Sequence, residues 1–185
     1  MILPIYTYGQ PVLREESVPV ANDYPDLKQL VNDMFETMYK ADGIGLAAPQ
    51  IGRPIRLFVI DAHALTKDHP ECKDFKRVMI NPEIIEKKDE RISMEEGCLS
   101  FPGIHEKVAR FTGIKVKYTD ENLNLQEETL EGFTARVVQH ECEHLEGQVF
   151  IDNISPIRKQ LNKGKLNKII KGMTKCSYRI KAVKK

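Results

Sequence analysis

The pattern H-E-x-x-H, formed by His140, Glu141 and His144, constrains this chain more than any other feature of its sequence. Residues four apart lie on the same face of an α-helix, one turn above the other. Two imidazoles at that spacing can bind one metal ion, and Glu141 beside them can accept a proton from a water molecule that the metal activates. The pattern therefore predicts a metal site on a helix and leaves a third ligand to be found.

The residues after His144 do not supply the third ligand that the two main zinc-protease classes use. A thermolysin-type enzyme needs a Glu well after the second His, but the last Glu of this chain is Glu146. The metzincin motif H-E-x-x-H-x-x-G-x-x-H matches as far as Gly147 and then has Phe150 in the place of the third His. We therefore expect the third ligand to lie upstream of the helix.

Cys98 is the candidate for this ligand. It follows the polar, turn-prone residues Glu95, Glu96 and Gly97, and a thiolate readily joins two imidazoles on one metal ion. A single Cys is nevertheless more often a small buried apolar residue than a ligand. Cys142 competes with it, but on a helix its side chain points roughly 160–200° away from the two histidines, so we expect it in the core.

The segment from Gly43 to Gln50, with the sequence G-I-G-L-A-A-P-Q, is rich in small residues. Small side chains allow a ligand to approach the backbone closely. The Gln50 amide offers an N–H that could stabilise a developing oxyanion. A phosphate-binding loop is not indicated, because no Lys followed by Ser or Thr comes after the glycines.

Together, the three segments resemble the peptide deformylase family. That family is recognised by G-φ-G-φ-A-A-P-Q, E-G-C-φ-S and H-E-x-D-H in this order, where φ is an apolar residue. Here the corresponding segments are residues 43–50, 96–100 and 139–147, and the resemblance extends to about Ser155. It implies a hydrolase that removes the N-formyl group from the initiator methionine of nascent polypeptides and releases formate.

The resemblance also implies a role for each matching residue. The implied metal ligands are Cys98, His140 and His144. Acid–base catalysis would fall to Glu141. The residues implied to bind the oxyanion and the substrate backbone are Gln50, the Leu99 N–H and Gly45. The family metal is typically Fe(II), with Zn(II) or Ni(II) able to replace it, and this ligand set does not choose among them.

Three features near the site need interpretation. The methionine side chain of the substrate needs an apolar pocket, for which the candidates are Ile44, Met94, Phe133 and Val137, although each also suits the protein core. The family has Asp where this chain has Glu143, and we expect Glu143 to form an ion pair with Arg110. His105 stands near a position where some relatives carry an Arg that contacts substrate.

The charge of the chain is unevenly distributed. Eleven of its 28 Lys and Arg lie from Arg158 onward, where there is no acidic residue, while all 27 Asp and Glu lie in the first 157 residues. This basic tail could contact an anionic surface or simply be a solvated helix, and the resemblance adds the ribosome as a possible partner. No membrane span or signal peptide is expected, and the four scattered cysteines indicate a cytoplasmic protein.

The spacing of apolar residues predicts an α+β fold, with mostly antiparallel sheets around a central metal-binding helix, an N-terminal helix and a C-terminal helix and tail. Helices are expected at residues 25–39, 132–145 and 157–173. Strands are expected at 56–60, 78–80, 84–85, 114–118 and 123–130. Residues 1–155 would form the catalytic part and 156–185 the basic helix and tail of one domain. Two other functions stay open, a peptidase of internal bonds and a metal-stabilised binding module without catalysis.

Overall fold

A computed structural model describes residues 1–183 of the 185-residue chain. The helices are α1 (Leu27–Lys40), α2 (Gly132–Leu145) and α3 (Pro156–Ile170). The strands are β1 (Ile5–Tyr6), β2 (Gly45–Ala47), β3 (Leu57–Asp61), β4 (Lys76–Lys87), β5 (Arg91–Gly97), β6 (His105–Phe111), β7 (Gly113–Thr119), β8 (Leu125–Glu131) and β9 (Ile180–Lys181). The predicted α+β class is confirmed. In the described part of the chain, the helices are too short or too polar to cross a membrane.

The largest sheet has five antiparallel strands in the order β2-β3-β4-β7-β8. Strand β3 packs against a hydrophobic core on each face, and its side chains alternate between these two cores. Phe58 and Ile60 belong to the core that includes α2, whereas Leu57 and Val59 belong to the core that includes α1. This double packing explains why the strand reads as an uninterrupted apolar run rather than as an alternation.

Helix α2 runs through the middle of the protein and is buried along nearly its whole length. It ends just before Gly147, whose φ of +67° lies in the left-handed region that glycine adopts most easily. A β-carbon at this position would lie 2.7 Å from the Arg14 carbonyl oxygen, so a side chain has no room here. The predicted bounds of the helix, residues 132–145, are confirmed.

Two small sheets complete the fold. Strands β5 and β6 form an antiparallel hairpin, with Gly97 paired with His105 at its open end. Strands β1 and β9 pair in parallel, with Ile5 opposite Ile180, and so bring the two ends of the described chain together. The hairpin was not predicted, because Arg91, Ile92 and Ser93 are all exposed and the chain there lacks a clear apolar alternation.

Several local predictions need correction. Helix α1 begins at Leu27, two residues after its predicted start, and Asp26 precedes it in a left-handed conformation. The predicted break at residues 81–82 is an irregularity within the single strand β4. Residues 62–75, where no helix or strand was predicted, contribute the buried residues Ala62, Cys72 and Phe75 to the core.

Helix α3 differs from its predicted amphipathic pattern. Ile169 is fully buried, but Ile157, Leu161 and Met173 are largely exposed. The face of the helix that packs on the protein therefore consists of Asn162, Leu166 and Ile169. A short terminal strand forms at Ile180–Lys181. Lys184 and Lys185, which belong to the predicted basic tail, lie outside the described residues.

Candidate active site

Cys98, His140 and His144 come together at one point, as the sequence predicted. One ligand atom of each lies within 4.8 Å of the others. Cys98 Sγ and His144 Nε2 are 3.3 Å apart. Metal bonds of about 2.3 Å to sulfur and about 2.0–2.1 Å to nitrogen place such atoms about 3.5 Å apart at a tetrahedral angle. The three residues therefore fit a single divalent metal ion.

The fold explains how residues distant in sequence meet here. His140 and His144 project from one face of α2, where their rings lie 5.2 Å apart, centroid to centroid. Cys98 follows directly after β5, whose hairpin packs along the same helix. Cys142, on the other side of α2, is buried in the core as predicted. Helix geometry thus separates the ligand face from the core face.

Glu96 orients His140. Its Oε2 atom accepts a hydrogen bond from His140 Nδ1 at 3.0 Å, which leaves Nε2 free to bind a metal. Arg110 and Arg136 both donate to Glu96, with bonds of 2.5 Å to its Oε1. Despite burial, the bonds from His140 and Arg110 lower the pKa of Glu96 to about 2. The carboxylate is therefore held charged and in a fixed position behind the ligand.

Arg110 connects this carboxylate to Glu143. Its guanidinium donates to Glu143 Oε1 at 2.7 Å and to Oε2 at 3.0 Å, and the arginine is only 3% exposed. The predicted ion pair is therefore present with Glu in the place of the family Asp. Asn153 adds a hydrogen bond of 2.9 Å to Glu143 Oε1. The longer side chain of Glu143 is thus accommodated without disturbing Glu96.

The two histidines differ in their surroundings. Burial would lower the pKa of His140, but its contacts with Cys98 and Glu96 raise it. Burial and the positive charges of His140 and Arg110 lower the pKa of His144. A metal ion bound between them would displace the proton that this cluster holds, because metal ligands must be deprotonated.

Glu141 is buried beside the ligands and close to the backbone of Gly45. Within residues 1–183, its Oε2 atom has no hydrogen-bond partner. Burial raises the pKa of Glu141 to about 7. A carboxylate whose pKa lies near the working pH can both accept and return a proton. The arrangement thus places a carboxyl group that can take up and release a proton beside the three candidate metal ligands.

Gln50 is held with its amide nitrogen toward Cys98. The Gln50 Oε1 atom accepts a hydrogen bond from the Ala47 N–H at 2.8 Å, which fixes the orientation of the amide. Its Nε2 atom donates to Ser100 Oγ at 3.2 Å and lies 3.4 Å from Cys98 Sγ. The Nε2 group of Gln50 is thus held between Ser100 and the sulfur of Cys98, at the edge of the candidate metal site.

Leu99 offers a backbone donor next to Gln50. Among the described residues, no acceptor of a hydrogen bond from the Leu99 N–H is found. Its side chain packs on Gly43, where a β-carbon would come within 2.7 Å of Leu99 Cδ1. The glycine-rich loop of residues 43–50 and the loop that contains Cys98 are thus packed together at the mouth of the site.

A cleft of about 500 Å³ opens over Cys98, His140 and Glu141. Of the predicted pocket residues, Ile44, Phe133 and Val137 line it, together with Gly45 and Gln50. Met94, which pairs with Val108 across the β5–β6 hairpin, does not line the cleft, contrary to the prediction. His105, which stands near the position where some relatives carry an Arg, also lines the cleft.

Some residues that line the cleft were not predicted, among them Arg136 and a segment near the C-terminus. Arg136 lines the cleft and donates a hydrogen bond to Glu96. Its position on α2, one turn before His140, is the sequence signal that could have indicated a place in the site. The segment Lys175, Cys176, Ser177 and Tyr178 also lines the cleft. Nothing in its sequence indicates this, since its position results from the pairing of β9 with β1.

Comparisons with known proteins agree with this geometry. The family profile described as Polypeptide deformylase matches residues 2–160. The peptide deformylase of Christiangramia forsetii is 45% identical over 98% of this chain and 96% of its own length. The corresponding enzyme of Flavobacterium johnsoniae is 44% identical over the same shares.

Solved structures show the same fold. The peptide deformylase of Thermus thermophilus has a TM-score of 0.83 and 39% identity, and the match covers 93% of this chain and 99% of that one. The enzyme of Thermotoga maritima has a TM-score of 0.76 and 44% identity, with 84% and 99% covered. With the Cys98, His140 and His144 cluster in place, the profile and the relatives agree: this chain belongs to the peptide deformylase family.

Proposed function

We propose that the chain removes the formyl group from N-formylmethionyl peptides, with a metal ion held by Cys98, His140 and His144. Membership of the peptide deformylase family makes it a metal-dependent hydrolase of formylated nascent chains. The observation that carries the assignment of residues is the convergence of this cluster with buried Glu141 in one cleft. When bound, a divalent ion would lower the pKa of a coordinated water from about 15.7 toward 7.

Glu141 is the proposed proton carrier. Its carboxylate accepts the proton of the attacking water and later delivers it to the amine that leaves as the formyl carbon–nitrogen bond breaks. Burial holds the pKa of Glu141 near 7, so that both transfers are feasible near neutral pH. The products are formate and a peptide with a free amino terminus.

Gln50 and the Leu99 N–H are the proposed donors to the formyl oxygen as it gains negative charge. The support for Gln50 is its fixed amide, held by Ala47, and the support for Leu99 is its backbone N–H without an acceptor. Donors already oriented toward a developing charge stabilise the transition state more than the ground state. The Gly45 backbone is the proposed partner of the substrate main chain.

The methionine side chain is proposed to lie against Ile44, Phe133 and Val137, which are apolar and line the cleft. Met94 is left out of this pocket, because it is not among the lining residues. We further propose that Fe(II) is the metal in the cell and that the enzyme works in the cytoplasm, where formylated nascent chains are made. The thiolate and imidazole ligands are compatible with Fe(II) but equally with Zn(II) and Ni(II).

The ribosome is a proposed partner, through the exposed basic face of α3. Lys159, Lys163 and Lys168 are all exposed there, as are the apolar residues Ile157 and Leu161. Binding of such a surface to ribosomal RNA should weaken steeply with salt. Cosedimentation with ribosomes should therefore be lost in a Lys163→Glu, Lys168→Glu variant that retains full activity on free peptide.

A two-substrate assay tests the proposed reaction. The anaerobically prepared enzyme is offered formyl-Met-Ala and an unformylated peptide of several residues. Release of formate from the first substrate alone is expected, whereas cleavage of the second alone would indicate a peptidase. In parallel, Glu141→Gln should lower kcat by about 100-fold or more and retain the metal. Unchanged turnover in this variant would exclude Glu141 as the proton carrier, whereas metal binding without product release from either substrate would favour a non-catalytic module.

A further inference from the structure

Three consecutive carbonyl groups fix the loop that carries the metal-binding cysteine. The Cys98 carbonyl accepts from the Phe101 N–H at 2.8 Å, and the Ser100 carbonyl accepts from the Tyr8 N–H at 2.9 Å. Between them, the Leu99 carbonyl accepts from the hydroxyl of Tyr178 at 2.8 Å. The backbone on both sides of the Leu99 N–H is thus held, while that N–H has no acceptor within residues 1–183.

Tyr178 reaches this loop from the far end of the chain. It lies beyond the family match, which ends at residue 160. Its segment is held on one side by α3 and on the other by β9, where the Ile5 N–H donates to the Arg179 carbonyl at 2.9 Å. Gln10 Nε2 also donates to the Ala182 carbonyl at 2.7 Å. These contacts fix Lys175–Tyr178 as one wall of the cleft.

The same strand also supports the other proposed oxyanion donor. Lys181 Nζ donates to the Tyr6 hydroxyl at 2.8 Å. The Tyr6 ring packs on Gly52, where a β-carbon would lie 2.4 Å from Tyr6 Cζ. Gly52 terminates the short 3₁₀ helix Ala48–Ile51 that presents Gln50. Residues 178–181 therefore contact the supports of both Leu99 and Gln50.

We propose that Tyr178 is a positioning residue for deformylation, which sets the Leu99 N–H toward the formyl oxygen, and that its segment forms a substrate-facing wall of the cleft. The inference rests on the proposed role of Leu99. Since the hydroxyl acts through the loop and does not touch substrate, its loss should weaken an interaction that is strongest in the transition state. Such a loss lowers kcat rather than raising KM.

The test compares Tyr178→Phe with Tyr39→Phe in the metal-loaded full chain. Tyr39 is a matched control, because its hydroxyl donates to Asp61 at 2.6 Å, and neither Tyr39 nor Asp61 lines the cleft. Loss of one neutral hydrogen bond should lower the kcat of Tyr178→Phe on formyl-Met-Ala-Ser by about three- to tenfold, with KM, metal content and Tm unchanged. Tyr39→Phe should match the wild type in kcat.

Hydrogen exchange of the Cys98–Phe101 segment gives a second readout that does not depend on turnover. Exchange of its amides should be faster in Tyr178→Phe and unchanged in Tyr39→Phe. A kcat within twofold of the wild type together with unchanged exchange would overturn the inference, as would a fall in kcat that parallels a loss of metal or of Tm.

Gln50→Ala, measured alongside, separates this inference from the proposed function. If Gln50→Ala loses activity and Tyr178→Phe does not, only the role of Tyr178 fails. If Gln50→Ala keeps full activity, the proposed oxyanion role of Gln50 fails, and the kcat and loop exchange of Tyr178→Phe still decide whether Tyr178 positions Leu99.

Discussion

Gly45 lies so close to Glu141 that a β-carbon at position 45 would stand 2.3 Å from Glu141 Oε1. The obstacle is the carboxylate that we propose as the proton carrier, and a side chain at position 45 would push that carboxylate out of its place. Glycine is therefore required here for the space it leaves, and the backbone of β2 can approach both the carboxylate and a substrate.

Gly45→Ala should displace the Glu141 carboxylate and lower kcat by about 100-fold or more, because proton transfer depends on close alignment. Metal content should stay at the wild-type level, since the methyl group is predicted to push on Glu141 and not on the ligands. Formate release and metal analysis on the same sample measure both quantities.

Gly164→Ala is the control for this substitution. Gly164 lies within α3, and a β-carbon there meets no atom within 4 Å. Alanine should leave kcat unchanged and raise the free energy of unfolding by about 0.5–1 kcal/mol, since it favours a helix more than glycine does. Equal activities for the two variants would contradict the account of Gly45.

Cys98→Ala should lose the metal, whereas Cys142→Ala should keep it. Only Cys98 has its sulfur in the histidine cluster, and Cys142 packs in the core on the other side of α2. The core variant should lose roughly 1 kcal/mol of unfolding free energy at most. Elemental analysis after anaerobic purification decides the matter, and equal metal retention in both would remove Cys98 from the site.

Arg110→Lys should weaken metal binding although the charge is kept. One ammonium group cannot form the paired hydrogen bonds by which Arg110 holds Glu96 and Glu143 together. Loss of such a support typically costs about 10- to 100-fold in metal affinity. Arg14→Lys, at a surface pair with Asp152, is the control and should change metal affinity and stability little. A competition titration with a chelator compares the two.

Glu128 should make stability depend on pH in the acid range. Although burial would raise its pKa, hydrogen bonds from Arg77 and Tyr118 lower it below the ordinary value of 4.5. A carboxyl group with a lower pKa in the folded state stabilises it at pH values above 4.5, and this contribution is lost as pH falls through the folded-state pKa.

Glu128→Gln should therefore be less stable than the wild type at pH 7, and the difference should shrink as the pH is lowered below about 4.5. Urea unfolding at a series of pH values measures the difference directly. A gap between wild type and variant that stays constant from pH 7 to pH 3 would refute this role of Glu128.

The sequence predicted the parts of the site that depend on local spacing. The i, i+4 relation places His140 and His144 on one face of a helix and Cys142 on the other, whatever the rest of the fold does. The pair between Arg110 and Glu143 followed from the family resemblance. Both predictions agree with the structure.

Features that depend on tertiary packing were missed. Strand β5 has exposed apolar Ile92 and a buried charge at Glu96, so its pattern opposes that of an ordinary half-buried strand. Glu96 tolerates burial only because Arg110, Arg136 and His140 surround it, and these come from two other elements. No local signal could have placed those three groups on one carboxylate.

The bond from Tyr178 to the Leu99 carbonyl also has a consequence for biosynthesis. The loop that bears the metal-binding cysteine is assembled from segments almost eighty positions apart, and its last support is translated after every other part of the cleft. An enzyme that matures nascent chains would thus itself be finished only when synthesis has passed the strand at Ile180–Lys181. Polypeptides released early would carry the entire H-E-x-x-H helix and still lack a fully braced catalytic loop.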